Sequence, residues 1–240
     1  MTMTTSRNTV KIYLAGSGDV TIDWGDGSEI ITYTLKEYKA RWFRIRNEYR
    51  NDYADETFRT ITITGENVTH LDCSGNQFTS LDVGKNTTLT FLDCRFNRLT
   101  SLDVKNNTKL SKLICQGNQL TSLDVSNNTA LTGLDCSMNM LKKLDVSNNT
   151  ALTRLSYACN PNYIPFNTYD ADAYTYAMNN LFATLNSNVG KKIIMISSQS
   201  GKGVSYDKSI AEKKGWKITE IKHEESPKTG RSKVFIPDIV

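Results

Sequence analysis

The sequence predicts a solenoid of short stacked coils with a parallel β-sheet along one side, and three observations predict it. The first is a fixed interval: Leu71, Leu92, Leu113, Leu134 and Leu155 lie 21 residues apart, as do Cys73, Cys94, Cys115 and Cys136. Asn76, Asn97, Asn118, Asn139 and Asn160 keep the same interval. Self-similarity at a fixed period of this length is the mark of a repeat architecture. The second is the apolar pattern within a copy. Residues 89 to 99, "LTFLDCRFNRL", fit L-x-x-L-x-L-x-x-N-x-L with cysteine in the third apolar slot, which is the leucine-rich-repeat pattern. The third is a shorter echo: "LDCSGN" (71 to 76) and "LDVGKN" (81 to 86) share one form ten residues apart. A 21-residue coil is too short to carry a long helix on its back. Two extended legs joined by tight turns are therefore expected, with strands on the concave side and strand-like "SLDVS" on the convex side. Parallel strands about 4.8 Å apart then align equivalent residues into ladders.

The elements follow in chain order. Residues 1 to 64 are expected to form a β-rich N-terminal cap, because a solenoid exposes apolar ends. It is built from "TVKIYLAG" (9 to 16), "VTIDWGDGSEIITYTL" (20 to 35) and "FRTITIT" (58 to 64). Asp26-Gly27 between β-rich runs signals a hairpin. Residues 65 to 165 hold the repeats. Residues 166 to 240 are expected to form an α/β C-terminal cap and tail. A helix is predicted over 169 to 186, capped by Asp170 or Asp172, and a buried strand over 192 to 197. A short helix over 206 to 215 has an Asp cap and a closing glycine, and a strand follows over 216 to 221.

Composition narrows the function. The formal net charge of +4 is mild and gives no case for nucleic acid. No apolar run approaches the roughly 20 residues that span a bilayer. The start lacks a basic region followed by an apolar one, so no signal peptide is visible. The chain then either stays inside the cell or is a mature or excised form. Two histidines, His70 and His223, leave little room for general-base or zinc schemes. "SGKG" (200 to 203) lacks phosphate-loop spacing and reads as a turn. With no nucleophile–base pair, metal cluster or nucleotide loop, an enzyme, a cofactor and a catalytic residue are not expected.

The ladders divide into scaffold and surface. Four cysteines in register lack the paired spacing of zinc sites and the geometry of disulfides, so they read as small buried apolar residues. Asp72, Asp93 and Asp135 on the first leg, with Asp82, Asp103, Asp124 and Asp145 on the second, read as turn residues bonding local backbone or solvated. A bridging cation is the alternative to that reading. The asparagines are expected to bond the backbone of neighbouring turns. The N-x-T triplets at Asn86, Asn106, Asn127 and Asn148 read as turn chemistry.

The variable slots differ from all of these. The slot before the central Leu holds His70, Phe91, Lys112, Gly133 and Arg154; the slot after Cys holds Ser74, Arg95, Gln116 and Ser137. The next holds Gly75, Phe96, Gly117 and Met138, and beyond the Asn come Gln77, Arg98, Gln119 and Met140. Exposed aromatic, Met and Arg side chains on one face match the composition of interface cores, although unconstrained drift would also vary these positions. The candidate ligand-binding set is His70, Phe91, Arg95, Phe96, Arg98, Lys112, Gln116, Met138, Met140 and Arg154. An alternative lies in the basic and aromatic "KEYKARWFRIRNEYR" (36 to 50), which could stack nucleobases or sugar rings or meet an acidic partner, with Trp42, Phe43, Arg44 and Arg46 as the glycan-binding candidates. The same stretch also reads as an edge strand carrying protective charge.

The repeat "LTSLDVSNNTALTGLDCSMN" resembles the leucine-rich repeats of bacterial cell-surface proteins of gut anaerobes, loosely similar to the internalin class. "TIDWGDGSE" followed by "YADETFRTITITG" looks like a reduced polycystic-kidney-disease (PKD) type β-domain, and "SIAEKKGWKI" resembles the segment that closes such repeats. The resemblance implies export, a surface or secreted location, and a non-enzymatic role in adhesion or recognition. The partner would be an unknown protein or cell-surface macromolecule, and the chain a monomer. Glycan binding through the N-terminal β-domain and a structural spacer are the alternative readings.

Overall fold

The computed structural model describes residues 1–37, 47–158, 160, 171–187, 192–198 and 206–222. Its spine is a parallel sheet whose rungs are equivalent residues of successive repeats. Strands β9 (Phe91–Asp93), β10 (Lys112–Ile114), β11 (Gly133–Asp135) and β12 (Arg154–Ser156) pair in parallel, Leu92 beside Leu113, Leu134 and Leu155. On one flank β7 (Val68–Asp72) joins in the same sense, with Leu71 against Leu92. The chain is thus a leucine-rich-repeat β-solenoid with a 21-residue interval, as its periodicity predicts.

Its interior is made of ladders. The Leu row, Val83, Val104, Val125 and Val146, and Cys73, Cys94, Cys115 and Cys136 are all fully or almost fully buried. The four thiols are free, and burial pushes their ionisation upward, as expected for apolar filler with no anion to offer. Asparagines close each turn. Asn118 donates from Nδ2 to the carbonyls of Cys94 (3.0 Å) and Cys115 (2.9 Å), and its Oδ1 accepts from the Leu99 N–H at 3.0 Å. Asn97, Asn139 and Asn160 repeat this bridge. In each case one donated bond closes the asparagine's own turn, while the other donated bond and the accepted one join its coil to the last, so polar groups buried at the bend are satisfied within and across coils.

A second asparagine row, Asn107, Asn128 and Asn149, donates to two carbonyls of the preceding coil. A hydroxyl row does the same: Thr90, Ser111, Thr132 and Thr153 each donate to the carbonyl 21 residues earlier. The repeat pattern had not singled out that last row.

The convex leg is a strand only where it has a partner. In β8 (Ser80–Asp82) it pairs antiparallel with β1 (Thr2–Thr5). The corresponding segments of later copies form no ladder.

The N-terminal strands extend both sides of the solenoid. β2 (Thr9–Gly16) runs antiparallel to β7 and to the edge strand β5 (Glu48–Asp52), so the long sheet begins β5-β2-β7. Asn76 fixes this join, accepting from the Lys11 N–H (2.9 Å) and donating to the Lys11 carbonyl (2.7 Å). A five-stranded sheet, β4-β3-β6-β1-β8, covers the other side, using β3 (Asp19–Asp23), β4 (Ile31–Thr34) and β6 (Arg59–Thr64). β3 and β4 form the hairpin around Asp26-Gly27. Met3, Ile12, Ile22, Ile61 and Ile63 share one core with the Leu and Val ladders.

Beyond the repeats, β13 (Lys192–Ser198) and β14 (Trp216–Lys222) add two parallel strands to β12, connected through α2 (Lys208–Lys213), and α1 (Ala171–Thr184) lies before β13. Asp207 caps α2 by accepting from the Ser209 N–H, and Gly215 follows at φ +79°. Asp170, "SGKG" and His223 lie outside the described residues.

Candidate functional site

The site is built on the outward face of the parallel sheet, because side chains alternate along each strand. Leu92 is buried in the core, and Phe91 stands half-exposed on the outer side. Row by row, the parallel register places His70, Phe91, Lys112, Gly133 and Arg154 side by side. The rings of His70 and Phe91 stack with centroids 5.7 Å apart and an interplanar angle of 21°. Lys112 and Arg154 stand on either side of Gly133, which carries no side chain to separate them. Burial, and then the Arg154 charge, lower the Lys112 pKa.

The neighbouring row is acidic but turned inward. Asp93 is only 2% exposed and lies 3.1 Å from Arg95 Nε. Burial first, and then Asp72, push its carboxyl up to about 7, with Arg95 opposing. Asp135 is likewise buried and raised, while Ser137 donates to it from both N–H and Oγ. The expectation that these aspartates bond local backbone holds: Asp72, Asp93 and Asp135 each accept from the N–H two residues on. The solvated alternative fails for Asp93 and Asp135, which the rungs above and below bury. On the convex side Asp82, Asp103 and Asp124 make the same turn bond and stay exposed. Among the described residues no group of His, Cys, Asp or Glu is arranged to hold a metal ion.

The row after Cys departs from expectation. Arg95 is half-buried, but Gln116 is buried, so its side chain is not part of the accessible face. This is a correction: Gln116 and Ser137 are both buried in this row, and only Ser74 and Arg95 are partly accessible.

The next row shows what sequence reasoning missed. Gly75, Phe96, Gly117 and Met138 all have left-handed backbone, with φ of +68°, +53°, +66° and +54°. Two copies fill the slot with glycine, which suits it. The other two force a large side chain into a conformation costing roughly 1–2 kcal/mol. Phe96 is 52% exposed, and its ring lies over the bare backbone of Gly117. The signal was legible as Gly alternating with Phe and Met at one slot. Beyond the Asn, Arg98 and Met140 are exposed, and Arg154 is exposed at the far end of the first row. The structure thus brings His70 to Phe91, Arg95 to Asp93, and Phe96 to Gly117. Trp42, Phe43, Arg44 and Arg46 lie outside the described residues.

Fold and face together define a leucine-rich-repeat solenoid with a nearly constant interior, changed at Phe78 and Tyr157, and a variable sheet face. No protein family matches the chain, and no curated protein matches it. Solved structures do. The functional domain of InlJ from Listeria monocytogenes, which includes a cysteine ladder, shares 29% identity over 60% of this chain and 37% of its own, with a TM-score of 0.35. The internalin inlF of Listeria monocytogenes shares 18% identity over 65% of this chain and 47% of its own, with a TM-score of 0.39. The chain therefore spans less than half the length of either structure. No helix among the described residues is long and apolar enough to cross a membrane.

Proposed function

We propose that this chain is a non-enzymatic binding module that holds a protein or other cell-surface macromolecule against the outward, concave face of its parallel sheet. One observation carries this reading. Phe96 and Met138 occupy left-handed slots that glycine fills in the alternate copies. Backbone strain of that kind persists where something other than folding favours the side chain. Phe96, Met140 and Arg98 are exposed, and Phe, Met and Arg are enriched at interface centres. The resemblance of the repeat to those of bacterial surface proteins supports an adhesive role at the cell surface or in secreted form. The purified chain, screened against an array of extracellular proteins, should retain specific partners. Phe91→Ala and Phe96→Ala should each weaken them while leaving the unfolding transition in place; partners indifferent to both changes would remove the assignment.

A further inference from the structure

The repeats carry two rows of buried asparagines, and only one row is fully paired. In the first, Asn118 engages both Nδ2 and Oδ1. In the second, Asn107, Asn128 and Asn149 engage Nδ2 alone, on two carbonyls of the preceding coil. Their Oδ1 atoms, and that of Asn86 at the head of the row, meet no hydrogen-bond donor among the described residues. We propose that this row is a binding site for internal water, a file of single molecules each bridging the Oδ1 atoms of two successive coils.

Repetition is the first argument. One bare acceptor could be an accident of local packing, but four in register, one per coil, are a property of the repeat. Asn86 is 5% exposed and the other three are fully buried, so bulk solvent does not reach them. A buried oxygen left without a donor is costly, and native interiors supply one from the protein or from ordered water. Geometry is the second. Equivalent atoms of stacked coils recur about every 4.8 Å. A water about 2.8 Å from each of two such oxygens subtends an angle of roughly 120° between them. That is close to the angle between its own two O–H bonds, so one molecule can donate to two rungs, and two polar partners suffice for a buried water. Chemistry is the third. The oxygens belong to neutral amides set between the buried Val and Leu rows: the Asn107 N–H donates to the Val104 carbonyl (2.9 Å), and the Leu110 N–H to the Asn107 carbonyl (3.0 Å). A cation held there would bury its charge among apolar side chains, whereas water is a neutral donor. At the C-terminal end Asn186 donates to the Asn149 carbonyl at 3.0 Å, the bond that the asparagine of a further coil would make. The cap thereby continues the row.

A high-resolution crystal structure of the full chain tests this. Density for one water should stand between Asn86 and Asn107, between Asn107 and Asn128, and between Asn128 and Asn149, about 2.8 Å from each Oδ1. In solution, oxygen-17 relaxation dispersion should report these molecules as long-lived, and Asn128→Leu should remove about two of them. Asn106→Ala, at an exposed amide outside the row, should remove none. Bare density beside the four oxygens would overturn the proposal, and so would a count of long-lived waters that Asn128→Leu leaves unchanged. Should that variant fail to fold, the density of the unaltered chain decides alone. An anomalous peak along the row in crystals soaked with thallium(I) would put a monovalent cation there and overturn the assignment to water.

Discussion

The ring of Phe96 occupies the space that a side chain at Gly117 would need. A Cβ built on Gly117 would stand 2.6 Å from Cδ1 of Phe96, far inside contact distance. One coil's missing side chain is therefore what lets the previous coil lay its aromatic ring along the sheet.

Gly117→Ala should accordingly be costly on two counts, positive φ and the displaced ring, together about 1–3 kcal/mol in urea unfolding. In a Phe96→Gly background the steric part disappears and about 1 kcal/mol remains. Equal penalties in the two backgrounds would mean that the ring does not rest there. Phe96→Gly alone should stay within about 1 kcal/mol of the parent, because relief of the left-handed strain offsets the lost contact.

The buried carboxyl of Asp93 sets a pH dependence. It sits at about 7 in the folded chain, against an ordinary value of 3.8. Between these limits the folded state holds a proton that the unfolded state has lost. The associated stability is complete below the ordinary carboxylate range and is lost as pH rises through about 7, worth at most about 4 kcal/mol. Asp93→Asn cannot ionise, so its stability should change less between about pH 5 and about pH 8. Parent and variant curves of equal slope would refute this.

Asn118→Ala removes two donors and an acceptor from a buried bridge between coils. It should cost about 3 kcal/mol or more, since its backbone partners are left buried and unpaired. Asn106→Ala, at an exposed side chain making one 3.3 Å bond, should cost about 0.5 kcal/mol or less. Chemical denaturation of the two variants side by side measures the contrast.

The thiols at Cys73, Cys94, Cys115 and Cys136 are buried and held protonated by desolvation. In the folded chain they should resist a thiol reagent that labels them promptly in denaturant. Peptide mapping of the labelled protein reads each position, and rapid native labelling at any of the four would contradict the packing.

The interior was legible in the sequence because a ladder repeats its chemistry in every coil. Leu92, Cys94 and Asn97 announce themselves by recurring, and stacking is the one arrangement that gives all of their copies the same environment. Asp207 and Gly215 were legible for a different reason, since helix ends need a particular cap and a particular φ. The site was less readable. Whether Asp93 is solvated or buried depends on side chains of adjacent rungs, which lie 21 residues away in the chain. Gln116 looked equivalent to Arg95 by position, yet it is covered. The left-handed backbone at Phe96 follows from turn geometry shared with Gly75 and Gly117, which the spacing alone does not convey.

The hydroxyl row described above has a consequence for how such a chain can change over generations. Thr90, Ser111, Thr132 and Thr153 each bond to the coil behind through the same 21-residue step. A gene segment encoding one coil could therefore be copied or lost, and its flanks would still meet donors and acceptors of the right kind. The molecule can grow longer by recombination without inventing a new contact, while Phe96 and Arg98, unique to their coil, give one position along its length an address.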